Sequence, residues 1–219
     1  MSVKRDSLSL SIAVGLYGSA FGAASITAGF SVLQTCLLSL LLFSGASQFA
    51  AVGVIGAGGG VVSAVLTSTF LGTRNALYGL TMAQILNVKG LKRTAAAHVT
   101  IDESTGVSIS QDRHQDKVTG FWWTGLGVFV FWNLFTLIGA LGAQAIGDTA
   151  AWGLDAAVPA AFLGLVWPRL KSKDDYVLAI SAAALALALT PIVAAGLPII
   201  ATALLAVAFA RFIKGEPHG

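Results

Sequence analysis

Long apolar runs separated by short charged clusters set the pattern of this chain. The clusters fall at 4–6, 89–117, 148 and 155, 169–175 and 211–216. A bilayer core about 30 Å thick needs roughly 20 apolar residues per helix. The gaps between clusters therefore read as spans at 8–30, 119–143, 151–167, 176–190 and 197–212. The stretch 31–86 is different, because its 56 residues are too many for two plain spans and too broken for three.

Lysine and arginine bias orients the spans, since short loops rich in these residues stay in the cytoplasm. Lys4 and Arg5 place the N-terminus inside, and Lys89, Lys92, Arg93, Arg113 and Lys117 place the loop 87–118 inside. Arg169, Lys171 and Lys173 mark a second inner loop, and Arg211 with Lys214 an inner C-terminus. Loops 142–150 and 191–198 carry no Lys or Arg and are read as outer. Four spans over 119–213 satisfy these assignments. The first half needs an even number of crossings between Arg5 and Lys89, and one plain helix at 8–30 leaves an odd number for 31–86. At least part of 31–86 must then be re-entrant, broken, or a third short span. The expectation is an all-α, polytopic helical membrane protein: one domain, 1–219, with about seven membrane elements, two of them interrupted.

Composition narrows the class. Of the 219 residues, 56% are hydrophobic and 11% charged, where soluble domains have about 25% charged. A net charge of +3 with this apolar content excludes a disordered chain. The basic residues sit at the ends of apolar runs, so nucleic acid is not the expected partner. Cys36 is the single cysteine, which rules out an internal disulfide and leaves it as a small packed hydrophobe. The first apolar run is too long for a signal-peptide core and should remain as a helix. Phe121, Trp122, Trp123, Trp152 and Trp167 fall near predicted span ends, where aromatic rings anchor at the interface. No clean internal repeat is visible.

Two polar interruptions stand out in 31–86. One is Phe43-Ser44-Gly45-Ala46-Ser47-Gln48-Phe49, and the other Gly72-Thr73-Arg74-Asn75-Ala76-Leu77-Tyr78-Gly79. Between them Gly56-Ala57-Gly58-Gly59-Gly60 reads as a hinge or turn. Arg74 is the one charged residue inside an apolar stretch, at an insertion penalty of about 2.5 to 3.5 kcal/mol. No Asp or Glu lies in any predicted span, so a bound anion such as an amino-acid carboxylate is one answer to that charge, and snorkelling to an interface is the other. A half-helix starting at Ser44 to Gln48 would present free N–H groups and a partial positive charge to the same anion, unless the break is only a packing kink. Thr100 and Glu103 have capping-box spacing and read as the start of a short helix, with Asp102 and Glu103 as the alternative gate or proton-coupling site. Gly18-Ser19-Ala20-Phe21-Gly22 puts two glycines on one face for close helix approach. His98, His114 and His218 have no metal-ligand spacing, and no nucleophile elbow or P-loop occurs, so neither an enzyme, a metal nor a cofactor is expected.

These residues resemble the AzlC family, the large subunit of branched-chain amino acid permeases and exporters. The resemblance rests on Gly18 to Gly22, Phe43 to Phe49, Arg74-Asn75-Ala76-Leu77-Tyr78-Gly79, Thr100-Ile101-Asp102-Glu103-Ser104, and Leu154 to Phe162. It implies a bacterial inner-membrane exporter of valine, leucine or isoleucine, working with a small AzlD-type membrane subunit. Both termini are expected in the cytoplasm, and a homo-oligomer is left open. Arg74 would then hold the substrate carboxylate. Ser44, Gly45 and Ser47 would lie at the half-helix N-terminus. Gln48, Asn75 and Tyr78 would orient the amine, and Phe21, Phe43 and Phe49 would surround the side chain. The other reading is a channel-like facilitator, or a carrier of a different small carboxylate.

Overall fold

The computed structural model describes residues 2–147, 160, 163, 164, 166, 167 and 170–213. Among these residues the structure is all helical, with no strand. The helices are α1 (Val3–Thr27), α2 (Val32–Leu41), α3 (Ala46–Gly56), α4 (Val61–Leu86), α5 (Leu91–His98), α6 (Asp102–Ile109), α7 (His114–Ile146), α8 (Lys173–Leu189) and α9 (Leu197–Ile213). α1 and α7 are long and apolar enough to cross a membrane. The expected span at 151–167, Trp152, and the Leu154 to Phe162 segment lie largely outside the described residues.

Beside a few large aromatic residues, the interior holds many small and hydroxylated ones. Ser7, Ser11, Ser25, Thr35, Ser39, Thr124 and Thr136 are fully buried, while Leu16, Leu33, Leu41, Leu66 and Leu134 face outward. Water would impose the reverse arrangement. In lipid, leucine gains nothing by leaving the surface, and small residues let helices approach closely. α1 shows the device. A Cβ added to Gly15, Gly18 or Gly22 would collide with Phe131, with the Trp132 carbonyl or with the Thr136 carbonyl of α7. The residue numbers rise together along both helices, so α1 and α7 are parallel. This confirms the small-residue packing expected of Gly18 and Gly22.

Two helical hairpins interrupt the long helices. α2 and α3 leave and return to the end where α1 finishes, because a Cβ on Gly56 would lie 3.1 Å from the Ala28 side chain. The α8–α9 connection lies at that same end, with Gly196 against Val54, Ser63 and Thr67. α4 then runs to the opposite end, where Met82 and Leu86 pack with Phe121 near the start of α7. α5 and α6 form the second hairpin from there. Val99 at its tip lies against Gly125, and Val107 on the returning arm against Gly120. A single end-to-end passage of α4 between two returning hairpins is the odd number that the charge pattern required of 31–86.

Several expectations are corrected. The stretch 72–79 does not interrupt anything, since α4 runs unbroken through it. The other expected interruption is present, with the break at 42–45, where Gly45 adopts φ 39°, a conformation unfavourable to side-chain-bearing residues. The loop 87–118 is largely helical, because α5 and α6 fold inward within it and α7 already begins at His114. Thr100 does not cap α6; its hydroxyl donates back to the Ala96 carbonyl, and Ser104 Oγ instead accepts from the Ile101 N–H. Phe121 is no interface anchor, being fully buried, whereas Trp123 is exposed with Lys4 Nζ 5.3 Å from its ring centre. A signal that went unused is Ser31-x-x-Gln34, whose reciprocal hydrogen bonds start α2.

The arrangement is an inverted repeat. A helix of 25 residues followed by two short ones, α1 to α3, recurs as a helix of 26 residues followed by two short ones, α4 to α6. The long helices begin 58 residues apart, at Val3 and Val61, and the returning arms 56 apart, at Ala46 and Asp102. α4 runs opposite to α1, so the second unit is upside down relative to the first, an arrangement common among transporters.

Candidate functional site

The tips of the two hairpins meet at the middle of the long helices. Phe43 from the first tip stacks near His98 from the second, with ring centres 6.1 Å apart, and both touch Phe129 of α7 at 5.1 and 5.4 Å. α4 passes beside them, and two consecutive residues at its midpoint each hold one tip. Arg74 Nη1 donates to Asp102 Oδ2 at 2.6 Å, and Asn75 Nδ2 donates to Ser44 Oγ at 3.0 Å.

The Arg74–Asp102 pair corrects the expectation that the chain offers this arginine no counter-ion. Asp102 is remote from any apolar run in the sequence, but the α5–α6 hairpin carries it inward to the level of Arg74. The two side chains are 33% and 18% exposed. They are therefore desolvated enough for the charge pairing to matter, and open enough for a competing ion to reach them.

A cavity of about 230 Å³ lies against this pair. Its polar wall is Ser44, Gly45, Arg74, Asp102 and Glu103, and its apolar wall is Val14, Tyr17, Ile101, Val128, Trp132 and Val166. α3 starts at this wall with no side-chain cap, its N-cap being Gly45. The cavity falls below the 300 to 1,000 Å³ of typical ligand pockets, so it suits a small metabolite. Charge balance matters equally: a guanidinium and a carboxylate side by side present both signs to one molecule.

The structure thus brings Arg74, Asp102, Glu103, Ser44 and Gly45 to one cavity. Ser47 and Asn75 line a second, wider groove of about 490 Å³ with Ser68, Thr69, Thr73, His98 and Thr100. Gln48 joins neither. It is fully buried, and its Nε2 donates to the Leu38 and Ser39 carbonyls at 3.4 and 3.2 Å, tying α3 to the end of α2. Tyr78 lies one turn beyond Arg74 on α4 and lines neither space. Phe21 and Phe49 are fully buried behind the cavity, packed on each other and on Trp132, so of the three phenylalanines only Phe43 borders it. The sequence reading missed Tyr17 and Trp132. The available signal was depth, since both lie mid-helix, away from the interfaces where such rings normally sit.

Comparison with known proteins finds relatives among membrane proteins. Residues 9–146 match the family described as AzlC protein. An uncharacterized membrane protein of Archaeoglobus fulgidus is 33% identical over 84% of this chain and 81% of its own length. An uncharacterized membrane protein of Haemophilus influenzae is 26% identical over 80% and 71%. The inner membrane protein YgaZ of Escherichia coli K12 is 28% identical over 76% and 67%. No solved structure matches.

Proposed function

The chain belongs to the AzlC family of membrane proteins, and on that premise we propose that it is a carrier exporting branched-chain or similar hydrophobic amino acids from the cytoplasm. The observation that carries this reading is the Arg74–Asp102 pair at the edge of a small cavity with an apolar far wall. An α-amino acid is a zwitterion with one apolar group. Its carboxylate fits the planar fork of Arg74, and its ammonium fits Asp102. The aliphatic side chain would lie against Val14, Ile101, Val128 and Trp132. Insertion would replace one ion pair by two without adding net charge, which lowers the penalty of holding ions inside the membrane.

Alternating access follows from the inverted units. Each hairpin reaches the midplane from one end, so withdrawal of one tip opens the cavity toward that end. Asp102 and Glu103 serve as gating or coupling groups, and the Ser44–Gly45 tip supplies the uncapped start of α3. A small AzlD-type subunit completes the transporter, with both termini of this chain in the cytoplasm.

The test is export of labelled valine and leucine from cells carrying this chain with its small partner. Arg74→Ala should abolish saturable export while still inserting, and Arg74→Lys should restore little, since an ammonium cannot replace the two-pronged fork. Wild-type export by Arg74→Ala rejects the site. Flux that never saturates favours a channel-like facilitator.

A further inference from the structure

Resting on that reading, we infer that Tyr17 is a second substrate-binding residue, the counterpart in the first inverted unit of Arg74 in the second. The equivalence comes from the register of the repeat. Starts of matched helices are offset by 58 residues at the long helices, by 59 at the leaving arms and by 56 at the returning arms. An intermediate offset of 57 superimposes Tyr17-Gly18-Ser19-Ala20-Phe21-Gly22 on Arg74-Asn75-Ala76-Leu77-Tyr78-Gly79. That alignment pairs Gly22 with Gly79 and the aromatic Phe21 with Tyr78, and it pairs Tyr17 with Arg74.

Position in space supports the same pairing independently. Tyr17 and Arg74 come from helices that make no extensive contact with each other, yet both line the cavity beside the hairpin tips. The glycine stripe of α1 is pressed onto α7, while Val14 and Tyr17, three residues apart, share the side turned to the cavity. Tyr17 is 36% exposed, and its hydroxyl makes no hydrogen bond among the described residues. A tyrosine in the middle of a long helix is away from the interfaces where such rings normally sit, and its hydroxyl needs a polar partner wherever water is excluded. Gly164 lies opposite, where an added Cβ would sit 3.8 Å from that oxygen, so little space remains on the far side.

The chemistry is that of a neutral donor and acceptor facing an ion pair. Arg74 and Asp102 take the charged ends of the amino acid, and the Tyr17 hydroxyl donates to a carboxylate oxygen. The substrate then bridges two blocks: α1 and α6 packed on α7 on one side, and α4 packed on α3 on the other. A ligand touching both blocks links its own binding to their relative movement, which a ligand held by α4 alone would not do.

The experiment measures saturable transport of labelled leucine by the full chain with its small subunit, comparing wild type with Tyr17→Phe. Loss of one hydrogen bond to a charged group should raise the half-saturating concentration roughly ten- to a hundredfold. The maximal rate and the thermal midpoint of the purified protein should stay near wild type, which separates binding from a packing role because phenylalanine keeps the ring. Tyr17→Ala should add a further loss in affinity. Arg74-dependent, saturable transport with Tyr17→Phe within twofold of wild type overturns this inference alone. Absence of saturable leucine transport in the wild type overturns the amino-acid reading, and this inference with it.

Discussion

The two hairpins reach the same depth by opposite means. The first, α2–α3, has an uncharged tip and is held by neutral hydrogen bonds: Gln48 donates to carbonyls of α2, Ser39 donates to Thr136 of α7 at 3.3 Å, Asn75 of α4 donates to Ser44, and Gly45 makes the turn. The second, α5–α6, is shorter and opens α6 with Asp102 and Glu103, and its tip is fastened to α4 by an ion pair. An inverted repeat would by itself make the two tips equivalent. The difference is therefore where chemistry has been added to a symmetric frame. One tip is a scaffold that exposes the start of a helix, and the other is a charged contact that a substrate ion can displace.

The strongest way to break this comparison is to discharge the second tip. Asp102→Asn leaves the guanidinium of Arg74 half-buried without its counter-charge. Removing one partner of a buried pair costs about 3–5 kcal/mol, and about 2 kcal/mol is expected here because the arginine is a third exposed. Transport should fall at least a hundredfold, and the thermal midpoint of the purified protein should drop. Adding Arg74→Leu to Asp102→Leu should recover most of the stability and none of the transport. A double variant as unstable as the single one would mean the pair is not the fastening.

The next largest effect belongs to the first tip. Gln48→Leu removes two hydrogen bonds to carbonyls that hydrocarbon cannot satisfy. Side-chain hydrogen bonds between membrane helices are worth about 0.6 kcal/mol each and at most about 1.7, so a loss of about 1–3 kcal/mol is expected. If Gln48 only braces the hairpin, transport per folded molecule should fall less than the yield of folded protein. A large rise in the half-saturating concentration at full stability would return Gln48 to the substrate site.

The contrast also explains which parts were legible in the sequence. α1 and α7 were, because nothing but a membrane helix reconciles such runs with so little charge. The first tip was visible too, since glycine, serines and glutamine inside an apolar stretch signal a break, and the crossing count demanded a return. Asp102 was already a gating candidate, but its pairing with Arg74 was hidden for a physical reason. It stands in a charged stretch that reads as solvated loop, and only the return of α5–α6 brings it to Arg74. The continuity of α4 was misread because Gly72 and Gly79 suggest breaks, yet both sit in a helix supported by packing on α3. The repeat escaped notice because the matched segments 17–22 and 74–79 share one identical residue, Gly22 with Gly79. What is preserved between the units is helix length and order.

Asn75 offers a finer cut, because it joins the uncharged tip to the same helix that holds the charged one. Asn75→Ala removes the 3.0 Å contact with Ser44 and leaves Arg74 in place. A neutral side-chain hydrogen bond of this kind contributes about 1 kcal/mol to stability, so the purified protein should lose about that much and transport should fall roughly fivefold. If the first tip moves as a gate, Asn75→Ala should also make a cysteine placed at Ser44, in a Cys36→Ala background, react faster with a membrane-impermeant maleimide added from one side only. Equal acceleration from both sides would argue that the contact merely packs the cavity.

The smallest effect is expected at Glu103, which borders the cavity one position beyond Asp102. If Asp102 alone carries the ammonium, Glu103→Gln should change the half-saturating concentration of leucine by about threefold or less. Lowering the charge of the tip while keeping the Arg74–Asp102 contact separates two ways in which acidic residues can act there. A field that draws a cation in falls off gradually and tolerates the loss of one of two charges. A direct contact does not tolerate losing its partner. Should Glu103→Gln match Asp102→Asn in severity while the protein stays folded, the second tip must be read as a pair of acidic contacts, and its contrast with the first becomes one of charge number as well as of charge.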